Sequence, residues 1–264
     1  MSALSSHLFA QLGNGKAVTG FILVLARIAP LFVLAPMFSA KQIPTLVRTS
    51  IALGLSMGLT GIAIHGQNVP TDPLSVAALL VLQLLIGFGF AFVVSAVLAA
   101  VQMAGGLTDI LSGFSFGATV DPINGNQGGA FAQFYSMIGL ILFIVIGGDA
   151  WMLHGIAKTF AIVPLTKAPA LGPLVHGAVQ AMGTVFVSAL EVAAPVMLTL
   201  LISDVAFGMV SRVVPQMSVF SVAFPMKVGI ALLVVAASLP FLGGWLSDQV
   251  AGSVFAALHS LRIA

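Results

Sequence analysis

Five stretches of this 264-residue chain contain no Asp, Glu, Lys or Arg. They are 20 to 36 residues long and cover residues 49–71, 73–108, 122–148, 168–190 and 228–247. A helix needs about 20 apolar residues to cross the ~30 Å hydrocarbon core of a bilayer. Unpaired backbone groups are costly in lipid, and the alternation typical of a membrane barrel is missing, so we predict that these stretches are helical.

The composition supports the same class of protein. Nine Lys or Arg and seven Asp or Glu are the only charged residues, whereas a soluble chain of this length carries ~66. So few charges do not cover a water-facing surface, and nine scattered cations form no basic patch for nucleic acid. The chain has no cysteine, which excludes disulfides and thiolate metal sites. We therefore predict a polytopic, all-α integral membrane protein without a nucleic-acid partner.

The apolar segments predict about six helices in a single membrane-embedded domain that covers residues 1–264. Their approximate bounds are 17–38, 46–65, 74–103, 129–153, 174–202 and 222–246. The third and the fifth are longer than a flat crossing needs, so we expect them to tilt, bend or project beyond the bilayer. After Trp245, four apolar residues recur at i+4 spacing and predict a short amphipathic helix on a partner or on the membrane surface. These residues are Leu246, Val250, Val254 and Leu258.

The basic residues do not orient the chain in a membrane. Six alternating crossings collect four of them on each side: Lys16, Lys158, Lys167 and Arg262 on one side, and Lys41, Arg48, Arg212 and Lys227 on the other. The positive-inside rule therefore gives no bias. Either partners set the topology, or not every apolar helix crosses the bilayer.

Arg27 lies ten residues into the first predicted span and is followed by Pro30 and Pro36. A cation near the centre of a membrane helix costs at least ~2.5–3.5 kcal/mol. Either the helix kinks and Arg27 snorkels or forms a salt bridge, or this helix end faces protein partners and water. Glu191, midway through the fifth helix, raises the same problem. A pairing of Arg27 with Glu191 is one option, which the sequence does not select over others.

No pattern of residues predicts catalysis. The five histidines are dispersed and lie at no spacing from carboxylates that would suit a metal ion. The nucleophile elbow, the phosphate-binding loop and the zinc-protease motif are all missing from the sequence. We therefore expect no enzyme activity, no cofactor, and no catalytic or metal site.

Residues 104–128 form a stretch of unusual composition. It is too rich in glycine for a stable helix, because each glycine costs ~1 kcal/mol relative to alanine. It is also too apolar for a solvated linker, so it is either a re-entrant turn packed among helices or a mobile apolar plug in a wider passage. The predicted plug residues are Ile110, Leu111, Gly113, Phe114, Phe116, Gly117, Val120, Asp121 and Pro122.

Several motifs recur in an order that resembles the FliR family of flagellar biosynthesis proteins. They are Arg27-Ile-Ala-Pro30 with Pro36, Gln102 with Gly105-Gly106, Gly113-Phe-Ser-Phe116 running into Asp121-Pro122, Ser211-Arg-Val-Val-Pro215-Gln216-Met-Ser-Val-Phe220, and Phe224-Pro225-Met-Lys227. The resemblance covers about residues 17 to 245, and virulence injectisome proteins share much of the pattern. Thr108-Asp109 departs from it, because a more apolar pair is expected there.

The resemblance implies a structural, non-enzymatic pore subunit of the flagellar type III export gate. It implies assembly with FliP-like and FliQ-like subunits, docking of an FlhB-like subunit, and passage of unfolded flagellar proteins through the assembly. It further implies bent helical hairpins and the bacterial cytoplasmic membrane, in the flagellar basal body. The alternatives are the equivalent subunit of a virulence injectisome and a small-molecule secondary transporter, although the two halves of the chain show no obvious repeat.

We expect a second set of residues to serve structure and assembly rather than the plug. Asp204, Arg212 and Lys227 bracket the fifth predicted connection, where opposite charges can fix the bends at Pro215 and Pro225. The complete set is Arg27, Pro30, Pro36, Gln102, Glu191, Asp204, Arg212, Pro215, Gln216, Phe220, Pro225 and Lys227.

Overall fold

The computed structural model describes residues 15–39, 43–115, 129–169, 171–214 and 219–261, and no strand occurs in this part of the chain. The helices are α1 Gly15–Leu34, α2 Pro36–Ser39, α3 Thr45–Ala63, α4 Pro73–Ser112, α5 Ala130–Val145, α6 Gly148–Ile162, α7 Leu171–Val213 and α8 Val219–Ser260. Five of them (α1, α3, α4, α7 and α8) are long and apolar enough to cross a membrane. The prediction of an all-α integral membrane protein is confirmed.

The pair α5 and α6 corresponds to the fourth predicted helix. The two helices together are as apolar as a span, but they are bent by 69° relative to each other. The prediction of one continuous helix over 129–153 is wrong, because the chain turns at Gly147, whose φ is 71°. A left-handed residue just after the end of a helix terminates it, and glycine adopts that conformation without a steric penalty.

Three helices continue well beyond their predicted ends. Residues 104–112 belong to α4, so the prediction that glycine excludes a helix there is wrong for this part. The fifth predicted connection is mostly helical, because α7 continues to Val213 and α8 begins at Val219. The predicted amphipathic helix is the final part of α8, and its predicted apolar face is buried.

The start of α4 is fixed by a polar turn. The Asp72 Oδ2 accepts a hydrogen bond from the Ser75 backbone N–H at 2.9 Å, the usual arrangement of a helix N-cap. Hydrogen bonds from the Ser75 side chain and backbone lower the pKa of Asp72, which lies in the turn at the start of the helix. The helix start is therefore capped by a carboxylate that is ionised at neutral pH.

The chain divides into two compact units. One comprises residues 1–95, 149–181 and 250–264, and the other comprises residues 96–148 and 182–249. The long helices α4, α7 and α8 each contribute residues to both units. In the first unit α1 packs against α3, and Ile86, Val163 and Leu261 form a buried apolar cluster. The expectation of one domain over residues 1–264 stays a prediction.

Candidate functional site

The carboxyl end of α4 is the point where the sequence predicted that the plug loop begins. Ile110 and Leu111 lie in the last turn of the helix rather than in a loop, and Ile110 is 63% exposed. Gly113 follows with a φ of 91°, and its N–H donates to the Asp109 carbonyl oxygen at 3.1 Å. Because such a backbone conformation favours glycine, the helix ends at Ser112 for a local reason.

The predicted plug residues lie partly inside and partly outside the described part of the chain. Of the nine, Ile110, Leu111, Gly113 and Phe114 are described. Phe116, Gly117, Val120, Asp121 and Pro122 lie outside the described residues. The plug remains a prediction, and the site that we describe is the helix end from which this segment leaves.

Asp109 holds the carboxyl end of α4 against the amino end of α5. Its Oδ1 accepts a hydrogen bond from the Phe131 N–H at 2.9 Å, and its Oδ2 accepts one from the Ala132 N–H at 2.8 Å. The first N–H groups of a helix have no intrahelical partner, and the positive end of the helix dipole favours a carboxylate. Asp109 is only 3% exposed, so these two bonds satisfy an anion in a buried position.

Two glycines make this close approach possible. A Cβ at Gly105 would lie 2.5 Å from the Phe131 carbonyl oxygen, and a Cβ at Gly129 would overlap the Asp109 carboxylate. Gly106 is different, because a Cβ there would meet no other atom within 4 Å. The glycine at residue 105, which weakens the helix locally, is therefore required by packing.

Lys227 of α8 holds the same helix end by a different interaction. Its Nζ donates to the Leu111 carbonyl oxygen at 3.0 Å and lies 2.5 Å from the Asp204 Oδ1 of α7. The last carbonyl groups of a helix lack intrahelical donors and attract cations. The predicted grouping of Asp204 with Lys227 is therefore an ion pair, and the ammonium also reaches α4.

Phe114 completes the contacts of the helix end. Its ring centroid lies 5.5 Å from that of Phe131 and 5.7 Å from that of Phe224, with interplanar angles of 76° and 63°. Such edge-to-face pairs are favourable beyond the apolar area that they bury. The first aromatic residue of the predicted plug thus packs between the start of α5 and the turn of α8 that carries Lys227.

Arg27 occupies a second polar site, in the other unit. The side chain is completely buried, and its Nε donates to the Gln83 Oε1 at 2.6 Å. Its Nη1 donates to the carbonyl oxygens of Thr159 and Val163 at 3.0 and 2.9 Å. These oxygens lie at the carboxyl end of α6, where the helix dipole favours a cation. The guanidinium therefore caps the carboxyl end of α6.

Both predicted environments of Arg27 are wrong. The group neither snorkels nor forms a salt bridge in the described part of the chain, and it does not face water. The Phe160 ring lies 4.4 Å below the guanidinium carbon, which adds a cation–π contact. The Arg27 backbone is equally enclosed, because a Cβ at Gly87 would overlap its carbonyl oxygen.

The suggested pairing of Arg27 with Glu191 does not form. Glu191 is exposed on α7, and its Oε2 accepts a hydrogen bond from the Trp245 Nε1 at 3.1 Å. Each of the two unusual charges thus has neutral hydrogen-bonding partners instead of the other charge. This leaves an exposed carboxylate on a helix whose neighbouring side chains are largely apolar.

The remaining residues of the assembly set lie at scattered places in the described part of the chain or outside it. Pro30 is buried within α1, Pro36 begins α2, and Gln102, Arg212 and Pro225 are exposed on α4, α7 and α8. Phe220 lies in α8, although its side chain does not belong to the part of the chain that the structure describes. Pro215 and Gln216 lie outside the described residues. Their role in assembly stays a prediction.

Sequence reasoning missed the residues that complete both polar sites. Asp109 was noted only as a departure from a pattern, and Gly129, Gln83 and Thr159 were not considered. Asp109 and Gln83 did carry a signal, because each is a polar residue inside a long apolar segment. The backbone groups of Phe131, Ala132 and Val163 carried none, because any residue supplies them.

Comparisons with known proteins place the chain among export proteins. The model of the family described as bacterial export proteins, family 1, matches residues 18–252. The flagellar biosynthetic protein FliR of Pectobacterium carotovorum subsp. carotovorum is 29% identical over 228 residues, which cover 85% of this chain and 86% of the relative. FliR of Escherichia coli is 27% identical over 218 residues, with 83% of each chain covered.

A relative with a different name is equally similar. The surface presentation of antigens protein SpaR of Salmonella typhimurium is 30% identical over 223 residues. The match covers 83% of this chain and 81% of the relative. Identity alone therefore does not separate the two groups of relatives.

Proposed function

This chain belongs to family 1 of the bacterial export proteins, and we propose that it is a structural, non-enzymatic pore subunit of the flagellar type III protein export gate. The observation that carries the proposal is the family match over residues 18–252, nearly the whole chain. Relatives named flagellar biosynthetic protein FliR, which this chain matches over more than four fifths of its length, support the flagellar assignment.

The surface of α7 and α8 supports a role as a subunit within a larger assembly. Only 11% of the most apolar 18-residue window of α8 is buried within the chain, so most of this helix needs lipid or protein around it. Glu191, Asp204 and Arg212 are exposed on α7. Charged side chains are costly against lipid tails, so protein neighbours suit this helix better than lipid alone. The expected neighbours are FliP-like, FliQ-like and FlhB-like subunits.

In this proposal the assembly lies in the bacterial cytoplasmic membrane at the flagellar basal body, and unfolded flagellar proteins pass through it. A passage of that width would leak ions unless an apolar obstruction excludes water from it, because hydrophobic constrictions close channels by dewetting. Leu111, Phe114, Phe116 and Val120 have the required chemistry. The segment that follows α4 is therefore our candidate for the obstruction.

The experiment for the subunit role is deletion of the chain from its host, followed by complementation with a tagged copy. We expect cells without the chain to lack flagella and the tagged copy to restore them. We also expect the copy purified from native membrane to retain FliP-like and FliQ-like proteins. Normal flagella in the deletion strain would overturn the proposal.

The experiment for the obstruction is a deletion of residues 116–120, which leaves the described contacts of α4 in place. We expect the complex to assemble while the cells become permeable to ions and small solutes. Unchanged conductance in cells with a demonstrably assembled complex would support a packed turn instead of a plug.

The relative named SpaR, at 30% identity, favours a virulence injectisome as a second candidate. The two systems differ in what they export, so the proteins that disappear from the medium of the deletion strain distinguish them. Loss of flagellin supports the flagellar gate, and loss of other secreted proteins in cells that still swim supports the injectisome. Solute uptake by vesicles that contain only this chain would instead indicate a secondary transporter.

A further inference from the structure

Lys227 is the one basic side chain that contacts the carboxyl end of α4 in the described part of the chain. Its side chain is 16% exposed, whereas that of its ionic partner Asp204 is 45% exposed. The ammonium has donors to spare after this ion pair, and one of them bonds the Leu111 carbonyl oxygen at 3.0 Å. Lys227 thus makes two separable interactions, one with a carboxylate and one with a helix end.

The second interaction lies next to an aromatic contact of the same two helices. Phe224 and Lys227 are three residues apart on α8, so they lie on one face of it. Their partners are also three residues apart, Leu111 in the last turn of α4 and Phe114 just after the end of that helix. One turn of α8 therefore holds both the last turn of α4 and the first aromatic residue after it.

The geometry points to Lys227 as a positioning residue that sets the place of Phe114 by capping the carboxyl end of α4, with Asp204 as an auxiliary counter-ion. This inference rests on the proposed function, because it assigns a role to the helix end from which the candidate obstruction leaves. If Lys227 instead serves only to neutralise Asp204, the Leu111 contact has no consequence. The two roles predict different effects for substitutions on the two sides of the ion pair.

Four variants separate these roles. Lys227→Arg keeps a cation that reaches both partners, and Asp204→Asn removes the ion pair while the ammonium still bonds Leu111. Lys227→Met removes both interactions and keeps an unbranched side chain of similar length. Lys167→Met is the matched control, since Lys167 is exposed in a connection of the other unit.

The measurement is hydrogen exchange of residues 109–113 in the complex purified with each variant, together with ion leak in the cells that produce it. We expect Lys227→Met to raise the exchange rate about tenfold or more, the effect of losing a hydrogen bond to a charged group, and to cause a leak. We expect Lys227→Arg and Lys167→Met to match the wild type, and Asp204→Asn to change exchange by less than about threefold.

Equal effects of Asp204→Asn and Lys227→Met would overturn the inference in favour of a simple ion pair, as would wild-type exchange in Lys227→Met. If the Lys227→Met complex does not assemble, Lys227→Gln replaces it. The Gln amide donates to Leu111 without a charge. We therefore expect residues 109–113 to exchange faster than in the Lys227→Arg and Asp204→Asn variants but more slowly than in a fully released helix end. A wild-type exchange rate would count against the cap. All variants are compared as assembled complexes, so flagellation of the deletion strain tests the proposed function separately.

Discussion

The Asp109 carboxylate lies where the Cβ of any residue other than glycine at position 129 would have to be. Residue 129 directly precedes α5, and its own position offers no side chain to cap that helix. The cap comes from Asp109 on α4, which bonds the Phe131 and Ala132 N–H groups. The cap of α5 therefore requires both residues, because Asp109 supplies the carboxylate and Gly129 leaves the space that it occupies.

The cap predicts how substitutions of Asp109 rank. Asp109→Ala leaves two buried N–H groups without acceptors, and we expect the free energy of unfolding to fall by about 1–3 kcal/mol. Asp109→Asn keeps one acceptor oxygen and is expected to cost less. Thermal unfolding of the purified complex measures both, and an Asn variant less stable than the Ala variant would contradict the cap.

Gly105 and Gly106 provide a matched pair of substitutions within one helix. Gly105→Ala forces a Cβ against the α5 backbone, and we expect a loss of about 1–3 kcal/mol from overpacking. Gly106→Ala meets open space, and the higher helix propensity of alanine is expected to raise stability by about 0.5–1 kcal/mol. Thermal unfolding of the two variants gives the sign of each effect, and effects of equal sign would show that the α4–α5 approach is misassigned.

The different outcomes at these glycines explain which features the sequence could predict. Charge-free stretches predicted the apolar helices, because burial in lipid depends on composition over about 20 residues. The end of α4 was predicted too early, because glycine weakens a helix locally, whereas the reason for Gly105 is a backbone contact with residues 131 and 132. Such contacts between distant backbone segments leave no pattern in a single sequence.

Arg27 shows the same limit of sequence-based prediction for a buried polar side chain. Its position in an apolar segment marked it as exceptional, and that expectation was sound. Its acceptors were not predictable, because two of them are the main-chain carbonyls of Thr159 and Val163. The sequence suggested a charged partner such as Glu191, whereas the end of α6 supplies the compensating dipole.

The Arg27 site predicts that lysine does not replace arginine there. Lysine presents a compact ammonium instead of a planar fork, so it does not reach Gln83 and the two α6 carbonyls together. We expect Arg27→Lys to lower the stability of the complex by about 1–3 kcal/mol, because buried acceptors lose their donor. Lys16→Gln, an exposed position on the same helix, is the control and is expected to change stability by less than about 0.5 kcal/mol.

Arg212 tests assembly separately from folding. Its side chain is exposed near the end of α7, so Arg212→Ala is expected to leave the thermal stability of the isolated chain within about 0.5 kcal/mol of the wild type. We nevertheless expect less FliP-like and FliQ-like protein to co-purify and motility to fall. Lys16→Ala is the matched variant, and two variants that assemble and swim alike would remove Arg212 from the assembly set.

The partners of Arg27 are also late in the order of synthesis. Gln83 follows it by 56 residues and Val163 by 136. At about 5–20 residues per second, Val163 is made some 7–27 s after Arg27. During that interval the guanidinium lacks its α6 acceptors, and a cation in the middle of a membrane helix costs at least ~2.5–3.5 kcal/mol. The apolar segment that carries Arg27 therefore obtains its complete set of hydrogen-bond acceptors only when a much later segment arrives.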